Sequence, residues 1–565
     1  MSKFLPFFLF VLLAAVVRPS AAVPTSDTTI VYASYLGTAA VDNEAVALEI
    51  NAAQELVVAL NLNGTGFVRR VNPNTGQTLA EIGTGGRIHD MDINRATGEV
   101  AAVGDFGLKV YTADLASDQP SRAQSLASGN KRVGMASDGR IVTSAGNQIS
   151  LWSADGSLLS QNSIASRTVL DVAISAEQGK IYVGGFWQAS SQYQSPFLYA
   201  YANNDLTSLV WRSYDYWKSL VDAATPYALT ADSRLYRIAI GRDNQLYILG
   251  EAHGGVTVFK TNGRRFDGMQ GSDLVYISAV EIDNWNKMHN TNSAKKAFVA
   301  RVNHQTGWVE KGQFILPRWD NNGVAGAGSS TRNFTVSDGS LAADELGNVY
   351  VGGSVGTYMK GRFEGTLTLN GQPLGAQPAN DKEMTIYIIN SDFTQRQTWT
   401  AFTKEAGDGT TTGIAASNGV VAISGRSTQG TLYTTADAAR PTPFNPSTTD
   451  LEDAYLAVLS APVDLTAVQL AAPAVGFTTR PVRVTATAVP NNAHLPLTYR
   501  LFVDEVLTAE QTIHSASHTF AINLPTAATY ALRLEAEDGQ GNNTEATTAV
   551  NVVIPEEVFL PLIRR

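Results

Sequence analysis

The chain has 565 residues and no cysteine. That single absence removes disulfide staples, thiolate metal sites, cysteine nucleophiles and an N-terminal lipid-bearing cysteine. Charged residues make up only 16% of the chain, and no run of Lys and Arg gathers into a patch. With a net charge of -10 there is no basic surface to hold a phosphate backbone, which argues against a nucleic-acid partner. Stretches with helical periodicity are nearly absent, so an α/β arrangement fails. After Val17 no segment approaches the roughly 20 apolar residues that a membrane helix needs.

At the N-terminus, Lys3 precedes an apolar run from Phe4 to Val17, and Ser20-Ala21-Ala22 supplies the small residues that a signal peptidase reads. The run is too short to span a bilayer. It therefore reads as a signal peptide over residues 1–22, which predicts export to the medium or the cell surface.

What the chain does contain is a repeated hairpin. Ser340 to Ala343 form a short apolar strand, Asp344-Glu345-Leu346-Gly347-Asn348 a polar turn, and Val349-Tyr350-Val351 a second strand that ends in Gly352-Gly353. Aligned on Val351, the other copies centre on Val58, Ala102, Thr143, Val183, Ile248 and Ala422. A unit of about 40 residues with insertions explains their spacing. A third strand follows each hairpin, at Phe67 to Val71, Leu108 to Tyr111, Ile149 to Trp152, Phe197 to Tyr201, Ala297 to Val302, Ile386 to Ile389 and Tyr455 to Leu459. A polar turn and a fourth strand come next in most units. Four antiparallel strands repeated seven times predict an all-β fold with a seven-bladed β-propeller over residues 23–464. Thr29 to Leu36 reads as a strand without a unit of its own. It is expected to pair with Tyr455 to Leu459 and so close the ring, removing an open sheet edge.

The units resemble the bacterial β-propeller repeat (SBBP-like) family. The likeness is carried by Asp344, Gly347, Asn348, Tyr350, Val351 and Gly353, and by Phe298-Val299-Ala300-Arg301-Val302-Asn303. It implies a secreted bacterial propeller and no particular activity, because a fold does not specify chemistry.

After Ala461-Pro462 the rhythm changes. Val482 to Thr487, Leu497 to Val503, His518 to Ile522 and Tyr530 to Ala536 alternate apolar and polar residues, which predicts an immunoglobulin-like β-sandwich over residues 465–554. Ala536-Glu537-Asp538-Gly539-Gln540-Gly541-Asn542 resembles the turn of bacterial immunoglobulin-like and PKD-like modules, which implies a spacer or adhesive unit. Residues 555–565 form a C-terminal tail of apolar-Pro-apolar-basic character, read either as a sorting signal or as a last strand with a charged end.

The expected site lies on the long loops. In such a fold the insertions after second strands, Gly250 to Lys296, Gly352 to Thr385 and Ser424 to Ala454, share one face with the crossings between units, and long loops on a rigid scaffold are where binding concentrates. Trp187, Tyr193, Trp211, Tyr214, Tyr216, Trp217, Trp285 and Trp319 cluster there. Flat rings of this kind could stack on sugars; they could equally cap the blade cores.

Catalytic patterns are weaker. Gly352-Gly353-Ser354-Val355-Gly356 matches a nucleophile elbow in letters only, since it leaves a strand for a loop rather than a helix. Glu251, Glu281, Asp283 and Asp320 offer carboxylates without a spacing that singles out a pair. His253 and His289 read as surface histidines rather than metal ligands. Asp538 and Asn542 could offer oxygens to a structural Ca²⁺, but they lack the regular spacing of a dedicated loop. No catalytic, cofactor or metal residue is assigned. The sequence thus points to a monomeric, non-catalytic extracellular binding protein that recognises a glycan or another partner. An extracellular polysaccharide hydrolase or lyase is the alternative.

Overall fold

The computed structural model describes residues 26–190, 193–217, 219–220, 232–253, 258–275, 295–315, 334–356, 359, 362, 367–375, 382–394, 396–404, 408–428, 431–445, 451–460, 465–489, 493, 497–513, 517–538 and 541–554. The N-terminal 1–22 segment and the 555–565 tail lie outside the described residues. The described elements are strands joined by turns and three short 3-10 turns, so the chain is all-β. No described helix is long and apolar enough to cross a membrane.

Seven antiparallel sheets follow one another along residues 30–460. Sheet I comprises Asn43–Ile50, Leu56–Leu62, Thr65–Val71 and Thr78–Gly83; sheet II Ile88–Ile93, Val100–Gly104 and Gly107–Tyr111; sheet III Lys131–Met135, Ile141–Ala145, Gln148–Trp152 and Leu158–Ser163. Sheet IV comprises Thr168–Ser175, Lys180–Ser190, Tyr193–Ala202, Asp205–Tyr214 and a fifth strand, Arg264–Arg265; sheet V Ser233–Ile240, Leu246–His253, Lys295–Val302 and Val309–Ile315. Sheet VI comprises Phe334–Ala343, Val349–Gly356, Lys382–Ile389 and Arg396–Ala401; sheet VII Gly409–Ser417, Val420–Ser427, Asp453–Ser460 and Ile30–Leu36. The first strand of each sheet packs beside that of the next, and Gly409–Ser417 packs beside Asn43–Ile50, so the seven first strands form a closed cycle. The expected closing strand is present, with Ile30 opposite Leu459 and Leu36 opposite Ala454.

Sheet II departs from four strands. Where its outer strand would run, only Leu108 with Gln124 and Tyr111 with Asp118 make isolated bridges, and Pro120–Arg122 forms a 3-10 turn between them. Pro120 has no N–H to give a ladder, which accounts for the break.

The hairpin Ser340 to Gly353 shows why its residue types recur. Asp344 Oδ1 accepts the N–H groups of Leu346 and Asn348 at 3.0 and 2.9 Å, and its Oδ2 accepts the Asn348 amide and the Tyr350 hydroxyl at 2.9 and 2.7 Å. Gly347 closes the turn at φ 79°, a conformation that disfavours a Cβ. The two glycines do not let the strand leave the sheet, because it continues to Gly356. Instead they face a bulge in the first strand. A Cβ on Gly353 would stand 2.5 Å from the carbonyl oxygen of Thr335. Gly104, Gly185 and Gly425 meet the same obstacle in sheets II, IV and VII. The bulges also correct one alignment. The residue after the bulge pairs with Gly184, Leu249 and Gly352 in sheets IV, V and VI, and with Ser424 in sheet VII, so the equivalent of Val351 there is Ile423 rather than Ala422.

Beyond residue 464 two further sheets share one core. Ala467–Ala471, Val482–Val489 and Ser517–Ile522 make one sheet; Val475–Phe477, Asn543–Val553, Ala528–Glu537, Leu497–Val503 and Val506–Ile513 make the other. Val484, Ala486, Tyr499, Leu501, Phe520 and Leu534 meet between them. Asp538 ties the ends together: its Oδ2 accepts the Leu465 N–H and its Oδ1 the Asn542 N–H, both at 3.0 Å.

Candidate functional site: a blind polar cavity among the first strands

The aromatic residues singled out from the sequence do not form one exposed face. Tyr193, Tyr214 and Tyr216 are buried in a core that includes Phe259 and Phe298, where no ring can present a face to a ligand. Trp187, Trp211 and Trp217 are half-buried. Trp211 Nε1 donates to the His304 carbonyl, while Arg167 lies over Trp187 and Arg265 over Trp217, with 4.5 and 5.0 Å from guanidinium carbon to ring centre. Both arginines converge on the buried carboxylate of Asp215, which also accepts the Tyr199 hydroxyl at 2.6 Å. Trp187 and Trp217 therefore cap a buried ion network. Trp285 and Trp319 lie outside the described residues, as do Glu281, Asp283, Asp320 and His289.

The first strands themselves enclose a cavity of about 510 Å³. It was not legible in the sequence, where its charged strand residues are distributed over five strands far apart along the chain. At the level just after the bulge, sheets I to VI contribute Ala47, Asp90, Arg132, Asp171, Arg237 and Ser340 in turn. Acid and base alternate over four adjacent sheets, and small residues fill the remainder. One step nearer the tight turns come Glu49 and Asp92, followed by Ala173, Ala239, Ala342 and Ala415. No aromatic side chain lines the cavity among the described residues.

Several of these groups stitch one first strand to the next. Asp90 accepts the Val133 N–H at 3.0 Å, Asp92 the Met135 N–H at 2.7 Å, and Asp171 the Ile238 N–H at 2.7 Å. Arg132 donates in both directions, to the Leu170 carbonyl at 2.9 Å and to the His89 carbonyl at 3.1 Å. Thr412 closes the cycle by donating to the Ala45 carbonyl at 2.6 Å.

The tight-turn end of the cavity is crossed by arginines. Arg242, from the turn of sheet V, donates to the Ile50 carbonyl in sheet I at 2.5 Å. Arg95, from the turn of sheet II, donates to the Gly241 carbonyl at 3.4 Å. Glu345 faces Arg242 at 3.8 Å and accepts the Asn418 N–H at 2.9 Å. Together these make a floor of cross-links between sheets.

Enclosure dominates the electrostatics. Burial raises Asp92 to about 7, and neighbouring Glu49 adds to the shift. Asp171 is also raised to about 7 by burial, against the pull of Arg237 and Arg132. Burial raises Glu49 against Arg95 and Arg242, and with the help of Arg132 it lowers Arg237 to about 10. Glu49 and Asp92 keep some free surface despite this enclosure because what they face is the cavity.

Other candidates are committed elsewhere. Ser354 is buried within a strand, opposite Thr335, so the elbow-like motif is scaffold. Glu251 is buried, accepts the Val336 N–H at 3.2 Å and lies 3.0 Å from His253 and 3.6 Å from Lys295. Among the described residues no group of three or more His, Asp or Glu could hold a metal ion. Both oxygens of Asp538 accept backbone N–H bonds, and the Asn542 amide nitrogen donates to its Oδ2 at 3.0 Å.

No family model matches the chain, and no match is found among curated proteins. Among solved structures, hydrazine synthase of Kuenenia stuttgartiensis is similar at a TM-score of 0.35 and 8% identity, over 64% of this chain and 96% of that one. The superoxide reductase (neelaredoxin) from Ignicoccus hospitalis is similar at a TM-score of 0.14 and 14% identity, over 16% of this chain and 82% of that one. Likenesses this slight carry no argument about fold or function.

Proposed function

We propose that the chain is a seven-bladed β-propeller of the bacterial repeat type followed by an immunoglobulin-like, PKD-like sandwich. On this reading it is a monomeric, secreted or cell-surface binding protein, without catalysis, that takes its ligand into the central cavity. The closed cycle of seven sheets and the shared core of the two C-terminal sheets support the architecture. One observation carries the function: a polar cavity of about 510 Å³, floored by Arg95 and Arg242, falls in the size range of small-molecule sites.

Binding is favoured over the polysaccharide hydrolase or lyase because three of the cavity carboxylates, Asp90, Asp92 and Asp171, already hold backbone N–H groups of the next sheet. Nor, among the described residues, does any aromatic ring line the cavity to seat a sugar. The test is thermal unfolding of the mature protein with a panel of sugars, amino acids and short peptides, repeated with Ala173→Trp, which fills the cavity. A ligand-induced rise in melting temperature that Ala173→Trp abolishes is expected. No rise with any compound would overturn the reading. Export is tested separately, since N-terminal sequencing of the secreted protein should begin at Val23.

One surface favours glycan recognition as a second reading. Trp308 and Phe266, 42% and 38% exposed, flank Arg264, whose guanidinium carbon lies 5.3 Å from each ring centre, and Leu209 and Val210 border the same groove. A glycan array on the mature chain should then score positive and lose its signal with Trp308→Ala. An array without signal would remove this reading.

A further inference from the structure

We infer that the central cavity receives a small zwitterion, its carboxylate on Arg237 and Arg132 and its cationic end toward Glu49, Asp90 and Asp92. The inference rests on the reading of this cavity as the ligand site and names the chemistry of what enters it.

Acid and base alternate around the cavity, with Asp171 on the sheet between Arg132 and Arg237. Yet Arg237 and Glu49, on opposite sides of it, are left without a close ion-pair partner among the described residues and define two poles. In a cycle of seven sheets, sheet V stands across from sheets I and II. Sheet V carries Arg237 at the level after the bulge, while sheets I and II carry Glu49, Asp90 and Asp92. Arg132, on sheet III, shares the level of Arg237.

Hydrogen-bonding capacity is left over at both poles. A guanidinium has five N–H donors. Arg237 uses one, toward the carbonyl of Tyr236 at 2.8 Å, and makes no ion pair within 4 Å among the described residues. Arg132, which lines the cavity, spends Nε and Nη1 on backbone carbonyls, and its Nη2 makes no hydrogen bond among the described residues. At the opposite pole Glu49 has no hydrogen bond and no ion pair within 4 Å among the described residues; Arg95, Arg242, Asp90 and Asp92 surround it at longer range. Enclosed charged groups that lack partners are costly, and a ligand that supplies partners at both ends recovers that cost. A neutral sugar satisfies neither charge, and an anion or a cation alone satisfies one pole only.

The test is isothermal titration calorimetry of the mature protein with glycine, diglycine and triglycine, which carry both charges at increasing separation. N-acetylglycine, glycinamide and glucose serve as comparators. One member of the glycine series is expected to bind, with the capped compounds weaker by about tenfold or more. Arg237→Gln and Glu49→Gln should each weaken it similarly, with unchanged far-ultraviolet circular dichroism. If either variant fails to fold, the capped compounds on the unaltered chain decide. Equal binding of capped and uncapped compounds, or binding of glucose alone, overturns the zwitterion while the cavity remains a ligand site. No binding by any of them, in calorimetry or in the wider thermal panel, overturns both.

Discussion

Arg242 donates across the centre of the molecule to the carbonyl oxygen of Ile50, 2.5 Å away. The two residues are at the tight-turn ends of sheets V and I, which are not neighbours in the cycle. One side chain thus fixes the distance across the ring, brings a cation to Glu49 and closes one mouth of the cavity. Arg242→Met should cost about 2 kcal/mol, the scale of a hydrogen bond with one charged partner. It should also admit solvent at that mouth. Urea unfolding reads the first, and faster hydrogen exchange at residues 49–51 reads the second. Unchanged values on both would show that the strut is dispensable.

The enclosed carboxyls make stability depend on pH in a definite direction. Asp92 and Asp171 titrate at about 7 in the folded chain, against an ordinary value of 3.8. The folded state therefore binds more protons than the unfolded state between about pH 4 and 7. Their contribution is fully present below that window and is lost as pH rises through about 7. Asp171→Asn keeps an acceptor for the Ile238 N–H but cannot ionise, so its stability should fall less steeply over the same range. Denaturant midpoints at half-unit pH steps provide the comparison.

The glycine opposite the bulge of sheet VI sets a steric limit. Gly353→Ala would press a methyl group to 2.5 Å from the Thr335 carbonyl oxygen, and relief requires the bulge to shift. The expected loss is about 1–3 kcal/mol, the range for overpacking. In sheet III the first strand has no bulge and the corresponding residue is Ala145, so Ala145→Gly should bring no such relief. Melting temperatures of the two variants distinguish a steric limit from a general preference for glycine.

Asp215 sits between Arg167 and Arg265, and its removal leaves two cations without their shared partner. Asp215→Ala should cost about 3–5 kcal/mol, as when one side of a buried pair is deleted. Because these arginines lie over Trp187 and Trp217, the indole emission should change as well. Destabilisation without any spectral change would mean that the rings are held by packing alone.

The sequence by itself determined the secondary structure and its repetition. The paired hairpins, the third strands at the stated positions and the N-terminal strand that closes sheet VII all follow from local alternation and turn chemistry, which neighbouring residues specify. Even the Asp344 turn could be read, because its partners lie within six residues. The site is another matter. Glu49, Asp90, Arg132, Asp171 and Arg237 lie on five different strands, far apart along the chain. Only closure of the cycle brings them to one cavity. The aromatic residues show the converse. Their clustering in sequence suggested a surface, but Tyr193, Tyr214 and Tyr216 turned inward, where burial of large rings outweighs any exposed role. Which side chains face the axis, and which of them retain unspent charge, is decided by long-range packing that no local pattern records.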